Sequence, residues 1–243
     1  MGERFDLYYW PHIQGRGEFP RLVLEAAGAD YRDVARLPES EGGGVSAMTR
    51  LMERAERKPF APPFLLHGER MVSQAAEISS YCAERLGLAP DDEADRLFAR
   101  SIALTTADLV AETHDTHHPI GVGLYYEDQT GEAQRRSKEF REERMPKFLG
   151  WYESIAAGNP QRSGWLVGGR MSQADLGLFQ IVEGLRYAFP HRMATIEARY
   201  PHAMDVRNRV AQQPAVARYL SSPRRIPFNE NGIFRRYPEL DGA

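Results

Sequence analysis

The densest group of side chains capable of chemistry lies near the middle of the chain, where three histidines and an aspartate follow one another closely. His114 and His118 are four residues apart and would share one helix face, as paired metal ligands do, with Asp115 and His117 between them. A zinc centre needs a third protein ligand in fixed geometry, the sequence has no HExxH motif, and Pro119 interrupts the helix directly afterwards. The sequence therefore predicts no metal, and one interpretation of this segment is a solvated, histidine-rich helix end.

The chain has a single cysteine, Cys82, which excludes an intramolecular disulfide and a CxxC redox centre. Its apolar neighbours at helical spacing indicate a core residue and not a nucleophile. A reducing, cytoplasmic compartment fits this cysteine usage best.

The amino-acid composition argues against nucleic acid as a binding partner and against a membrane protein. The 243 residues are 42% hydrophobic and 27% charged, which is typical of a folded globular chain. Lys and Arg number 31 against 34 Asp and Glu, a net charge of −3, so no basic surplus is available for nucleic acid. No apolar run approaches ~18 residues, which argues against a membrane-spanning segment.

Two adjacent phenols, Tyr8 and Tyr9, stand at the end of the first predicted element. The alternation in FDLYYW predicts a strand that starts at Phe5 and ends near Trp10. Helical spacing over 19–27, stopped by Gly28, predicts a helix, and residues 31–37 predict a parallel second strand reached by a right-handed crossover.

The rest of the first ninety residues predicts a weak helix after residue 45, then a β-hairpin and a further helix. Pro62 and Pro63 precede the hairpin, whose turn lies at 67–69. Ser73 is the predicted N-cap of the following helix, which stops at Gly87. The first part of the chain is therefore α/β.

A short connector at 88–92 separates this region from one that is almost entirely helical. Candidate helices cover 96–118, 132–156, 172–189 and 215–222, and Ser172 with Asp175 predicts an N-terminal capping box. These observations predict domains at 1–88 and 93–225, followed by an extended tail at 226–243.

Four landmarks, in this order, carry a resemblance to a known family. They are Tyr9-Trp10 followed by Gly15-Arg16-Gly17-Glu18, then Pro62-Pro63-Phe64-Leu65, then Ser73-Gln74, and finally Trp165-Leu166-Val167-Gly168 leading to Ser172-Gln173-Ala174-Asp175. With the element order, they make the chain resemble cytosolic glutathione S-transferases of the tyrosine-type, sigma-like, bacterial kind. The resemblance implies an α/β thioredoxin-like N-terminal domain that binds glutathione and an all-α C-terminal domain that binds the acceptor.

The resemblance also implies a role for the first phenols. A free thiol is only a few per cent ionised at neutral pH, and the thiolate is the nucleophile. A tyrosine hydroxyl that donates a hydrogen bond to the sulfur favours the ionised form. Tyr9 is the candidate donor, and Tyr8 is its rival because the spacing to Gly15 is one residue longer than in the family pattern.

Further glutathione contacts follow from the same resemblance. Pro63 takes the family's cis-proline position, and Pro62 before it offers only a carbonyl to the peptide backbone because it has no N–H. Ser73 and Gln74 lie where the γ-glutamyl carboxylate rests on a helix N-terminus.

Other candidate contacts are less specific. Trp10 holds a position that is aromatic in the family, while Arg16 and Lys58 are candidate ligands for glutathione. His114, Asp115 and His118 lie on the helix that lines the acceptor pocket in the family, which is the second interpretation of that cluster.

The predicted activity is therefore conjugation of glutathione, as co-substrate and without a metal, to small apolar electrophiles by a cytoplasmic homodimer in detoxification. Glutathione-dependent isomerisation or peroxide reduction is an enzymatic alternative. A non-catalytic carrier of apolar ligands or an interaction module is the alternative from another class.

Overall fold

The structure is a computed structural model that describes residues 4–242 and divides into two compact units. The first unit contains the chain up to Ala89 together with Gln213–Pro227, and the second contains Pro90–Gln212 together with the residues from Phe228 onward. No helix among the described residues is both long and apolar enough to cross a lipid bilayer.

The first unit is built on a four-stranded mixed sheet. Its strands are β1 (Phe5–Tyr8), β2 (Tyr31–Asp33), β3 (Phe64–His67) and β4 (Arg70–Ser73), in the order β2-β1-β3-β4. β1 and β2 are parallel, as predicted, and the predicted hairpin forms the antiparallel pair β3 and β4. The first two strands are shorter than predicted, because the chain turns after Tyr8 and coils into a 3₁₀ turn at Val34–Arg36 that buries Val34.

Three helices cover this sheet: α1 (Glu18–Ala26), α2 (Gly44–Arg54) and α3 (Ala75–Leu86). α1 and α3 pack together, and the fully buried Leu22, Leu65 and Ile78 form part of the core. Cys82 lies in the same core, and burial raises the pKa of its thiol to about 12, so it is a packing residue as predicted.

All secondary-structure elements that the structure describes in the second unit are helices. It contains α4 (Glu93–Asp115), α5 (Thr130–Glu139), α6 (Met145–Gly158), α7 (Gln173–Ala188), α8 (Pro190–Ile196) and α9 (Pro201–Ala211). The predicted capping box is present at the start of α7, where Ser172 and Asp175 bond to each other's backbone N–H groups. The combination of an α/β unit with an all-helical unit confirms the predicted fold class.

A last helix, α10 (Pro214–Leu220), returns the chain to the first unit. The hydroxyl of Tyr219 donates to the buried carboxylate of Glu18 at 2.7 Å, and Arg225 pairs with the same carboxylate. The side chain of Gln14 donates to the carbonyl of Ile226. These bonds place 213–227 with the first unit, whereas the sequence assigned residues up to 225 to the second.

The predicted tail also differs from expectation, because residues beyond Phe228 pack on the second unit. Phe234 lies directly over Gly184 of α7, and Tyr237 stacks on Tyr126 at 3.9 Å between ring centroids. Asp241 accepts the backbone N–H of His191 at 2.7 Å. The tail is therefore held by specific contacts.

Candidate active site at the sheet edge of the first unit

Three strands of the first unit bring the predicted site residues into one row across the sheet. The row lies where β1 and β4 end and β3 begins, and it is the sheet edge referred to below. Tyr8 at the end of β1 pairs with Phe64 at the start of β3, and Phe64 pairs with Ser73 at the end of β4. Neighbouring strands lie about 4.8 Å apart, so this row spans about 10 Å. Because Tyr9, Pro63 and Gln74 adjoin the three paired residues, they lie along the same edge.

Tyr9 is held where the first helix begins. Its ring is buried, with 5% of the residue exposed, and its hydroxyl oxygen accepts the backbone N–H of Arg16 at 2.9 Å. Gly15–Gly17 forms a 3₁₀ turn that leads into α1. The turn thus supplies a fixed partner to the phenol.

The two glycines of that turn make room for the phenol. A Cβ on Gly15 would overlap the hydroxyl of Tyr9, and a Cβ on Gly17 would overlap its ring. Gly15 also has a φ of +45°, a conformation that L side chains rarely adopt. The Gly-Arg-Gly motif is therefore a packing requirement of Tyr9.

The protonation state of Tyr9 follows from its surroundings. Burial raises the pKa of the phenol, and the Arg16 N–H and charge act in the opposite direction without reversing the shift. The hydroxyl keeps its proton at neutral pH and accepts from the backbone N–H groups of Arg16 and Gly17, so its own O–H can donate to an acceptor such as a thiolate.

Tyr8, the rival phenol, has a different setting. Its ring stacks on Phe64 at 4.7 Å between centroids and belongs to a buried cluster with Val34 and Met48. Burial, with a further contribution from Asp6, raises its pKa. The Tyr8 ring therefore packs in the hydrophobic core, while only Tyr9 packs against the Gly15–Gly17 turn.

The hairpin side of the edge contains the prolines. The Pro62-Pro63 peptide bond is cis, at the position the sequence suggested. Pro63 is buried and leads directly into β3, whereas Pro62 is partly exposed. The carbonyl of Pro62 is the backbone acceptor at this point, because a proline has no N–H to donate.

Ser73 is not the N-cap of the following helix, contrary to the prediction. It remains paired in β4, and Gln74 takes the N-cap position with φ 72° and ψ 123°. Such a backbone conformation is costly for a residue other than glycine and is concentrated at functional sites. The side chain of Gln74 makes no capping hydrogen bond, so it leaves the first N–H groups of α3 to other partners.

The remaining first-unit candidates are exposed side chains. Trp10 is 42% exposed, and Arg16 and Lys58 are also exposed. Arg16 is joined to Tyr9 through its backbone N–H, while its side chain and that of Lys58 are directed to the surface. Of these three, the structure ties only Arg16 to Tyr9.

The histidine cluster lies in the second unit, where α4 ends at Asp115. Burial lowers the pKa of His117 to about 2 and also lowers that of His118, so both imidazoles are neutral at neutral pH. Asp115 is half exposed, with its carboxylate 3.8 Å from the ring of His114. The rings of His114, His117 and His118 lie close together, with ligand atoms within 4.8 Å of one another, which the helical pairing of His114 with His118 did not anticipate.

Comparisons with known proteins agree on the fold. Residues 114–223 match the family described as glutathione S-transferase, C-terminal domain. The chain is 24% identical to glutathione S-transferase A4 of Bos taurus over 90% of its length and 89% of that protein. It is 21% identical to S-crystallin 4 of Enteroctopus dofleini over 92% of its length and 99% of that protein.

The solved structure of another protein is similar to this one in three dimensions. The Pi-class glutathione S-transferase of Onchocerca volvulus superposes with a TM-score of 0.70 and 18% identity, covering 94% of this chain and 98% of that one. The similarity thus includes both the α/β unit and the helical unit. This chain has the fold of the glutathione S-transferases, and the similarity of its sequence supports that family.

Proposed function

We propose that this protein is a glutathione transferase that binds reduced glutathione at the sheet edge of its first unit and joins its thiolate to an apolar electrophile. The observation that carries the proposal is the protonated, buried hydroxyl of Tyr9, which accepts the Arg16 N–H and retains its own proton to donate. Similarity to glutathione S-transferases supports the substrate. The tyrosine-type, sigma-like, bacterial subclass is part of the same proposal.

The dimensions of the edge support a tripeptide ligand. The row from Tyr8 through Phe64 to Ser73 spans about 10 Å, since strands are about 4.8 Å apart. Three extended residues also span about 10 Å. The sulfur then lies near Tyr9, the carbonyl of Pro62 accepts a backbone N–H of the ligand, and one carboxylate rests on the first N–H groups of α3 beside Gln74.

The chemical step assigned to Tyr9 is stabilisation of the thiolate. The thiol proton passes to solvent, the phenol O–H donates to the sulfur anion, and the sulfur forms a bond to carbon as the leaving group departs. A pKa depression of about two units corresponds to roughly 2.7 kcal/mol of differential stabilisation. Binding the electrophile beside the thiolate adds proximity.

The less specific candidates complete the proposal. Arg16 and Lys58 are proposed to contact the glutathione carboxylates from the exposed side, and Trp10 to cover the peptide. His114, Asp115 and His118 are proposed as part of the acceptor region in the helical unit. The protein is proposed to act in the cytoplasm as a homodimer, with the 95% exposed Phe60 at the interface between the two copies.

One pair of assays tests the activity. The full chain is applied to immobilised glutathione and then assayed for conjugation of a chlorodinitrobenzene-type electrophile. We expect retention, elution by free glutathione, and a rate above the uncatalysed reaction. Absence of both retention and conjugation by the folded protein would refute the proposed function.

A non-catalytic carrier of apolar ligands is the second candidate. The burial of Tyr9, the missing N–H at Pro62 and the similarity to a protein named S-crystallin favour it. Binding of an apolar dye without glutathione retention or conjugation would identify this function. Isomerase or peroxidase activity at the same site would instead require glutathione retention without conjugation.

A further inference from the structure

Three imidazoles converge where α4 ends, in the second unit. The helix stops at Asp115, and the backbone N–H groups of His117 and His118 both bond to the carbonyl of His114 at 3.2 Å. This tight turn folds the two later rings back onto the first. The ring centroids lie 4.9, 5.2 and 4.7 Å apart in the three pairs.

The nitrogen atoms of these rings have the spacing of a ligand set. One nitrogen from each ring can be chosen so that all three lie within 4.8 Å of one another, and the closest pair, Nδ1 of His117 and Nδ1 of His118, is 2.5 Å apart. Two nitrogens bound at about 2.1 Å to one tetrahedral ion are about 3.4 Å apart. That value lies between the 2.5 Å separation of the two Nδ1 atoms and the 4.8 Å limit for the set, so binding one ion requires the rings of His117 and His118 to move apart.

The tautomer of His117 leaves the required lone pair facing the cluster. Its Nε2 lies 2.9 Å from the carbonyl oxygen of Ile233, which can only accept, so Nε2 carries the proton. Nδ1 is then unprotonated and accepts the Nδ1–H of His118, so a bound ion takes the place of that proton. Metal-bound histidines commonly donate their second ring N–H to a backbone carbonyl or a carboxylate, which fixes the ring orientation.

Charges of both signs lie near the cluster. The Asp115 carboxylate lies 3.8 Å from Nδ1 of His114. Glu127 favours positive charge at His118, while Arg235 disfavours it at His118 and His117. Two acidic groups and one basic group therefore act on the cluster.

We propose that His114, His117 and His118 bind one divalent transition-metal ion of the zinc class, with a fourth coordination position open to water or an added ligand. Imidazole nitrogens suit Zn²⁺, Ni²⁺ and Cu²⁺, whereas Mg²⁺ and Ca²⁺ prefer oxygen ligands. The sequence predicted no metal because a third ligand in fixed geometry was missing. The turn after α4 provides that ligand in His117.

The test uses the untagged full chain, stripped with a chelator and dialysed. Zn²⁺ alone is titrated by calorimetry, and Co²⁺ alone is followed by its visible d–d absorption. We expect one ion per chain and the stronger d–d absorption of a four-coordinate Co²⁺ site. Binding well below one ion per chain, or weak absorption like that of hydrated Co²⁺, would overturn the proposal.

Two variants at proposed ligands and one control variant test which histidines bind the ion. His114→Gln and His118→Gln should each weaken Zn²⁺ binding by at least about 10-fold, since even the loss of a group that only supports a ligand costs about 10 to 100-fold. His191→Gln, at an exposed histidine of α8, should bind as the original chain does. His117 is 1% exposed and bonded to Ile233, so the more accessible pair carries the test.

Circular dichroism confirms that each variant is folded before binding is compared. Equal Zn²⁺ affinity in His114→Gln, His118→Gln and the original chain would show that the ion binds elsewhere. Because none of these readouts uses glutathione, failure of the metal site and failure of the proposed transferase activity are distinguishable.

Discussion

Tyr9 combines two properties at a single residue: its ring is enclosed by a glycine turn, and its hydroxyl keeps its proton because burial raises the phenol pKa. We expect Tyr9→Phe to raise the pKa of the bound glutathione thiol by about one to two units, because a hydrogen bond to the charged form is lost. The rise of the conjugation rate with pH should shift upward by the same amount. Thiolate absorbance of the complex, titrated against pH, measures the change.

Glutathione affinity should change little in Tyr9→Phe, because the ring and its packing remain. Tyr8→Phe is the matched control, since its ring stacks on Phe64 in the core and should leave the thiol pKa unchanged. Identical titration curves for Tyr9→Phe and the original chain would remove Tyr9 from the mechanism, and a shift in Tyr8→Phe would transfer the role to Tyr8.

Gly17 tests how tightly the Tyr9 ring is enclosed. A Cβ at this position overlaps the ring, and the backbone is helical, so the effect of Gly17→Ala is steric. We expect a loss of about 1 to 3 kcal/mol in unfolding free energy, the usual range for overpacking. Gly131→Ala has open space around it in α5 and should be neutral or stabilising by up to about 1 kcal/mol. Urea denaturation compares the two, and an equally stable Gly17→Ala would contradict the steric account.

At the scale of elements, the start of α3 is held in an unfavourable backbone conformation at Gln74. Gln74→Gly should raise the unfolding free energy by about 1 kcal/mol, because relief of about 1 to 3 kcal/mol exceeds the entropic cost of glycine. The same variant should weaken glutathione binding if the side chain contacts the ligand. Gln134→Gly, inside α5, should lower stability by about 1 kcal/mol, so opposite signs in thermal unfolding are expected.

The elements also show what local sequence can predict. Alternation and helical spacing correctly predicted the sheet, the hairpin, α1 and the capping box of α7, because these depend on short-range periodicity. The continuous helix at 132–156 is interrupted by a π-helical turn at Phe140–Arg144, just before Pro146. Helical periodicity alone does not reveal one extra residue in a turn, since the apolar face continues on both sides.

In the candidate site, too, local sequence predicted some features and missed those that depend on tertiary structure. The family resemblance singled out Tyr9, Pro63 and Gln74, but it gave the N-cap to Ser73, because the backbone conformation of Gln74 depends on how β4 meets α3. His117 was missed as a ligand for a related reason. Its ring lies close to those of His114 and His118 because of a turn after α4, whereas the predicted helix continued to residue 118.

At the scale of the whole molecule, the exposed ring of Phe60 concerns assembly. Phe60 is 95% exposed in the single chain, and the proposed homodimer would cover it. We expect the original chain to sediment as a dimer and Phe60→Ser to sediment largely as a monomer at micromolar concentration. Phe60→Tyr keeps the aromatic area and should remain dimeric. A monomeric original chain, or a fully dimeric Phe60→Ser, would contradict this expectation.

The return of α10 to the first unit sets the order in which the protein can be completed during synthesis. Glu18 is 0% exposed, and two of its partners, Tyr219 and Arg225, are made some two hundred residues later. A nascent chain that has emerged only as far as Ala89 holds a carboxylate whose burial is incompletely compensated. The N-terminal unit therefore reaches its final stability only after residues 213–227 have left the ribosome, and residues 1–89 are a poor candidate for expression as an isolated fragment.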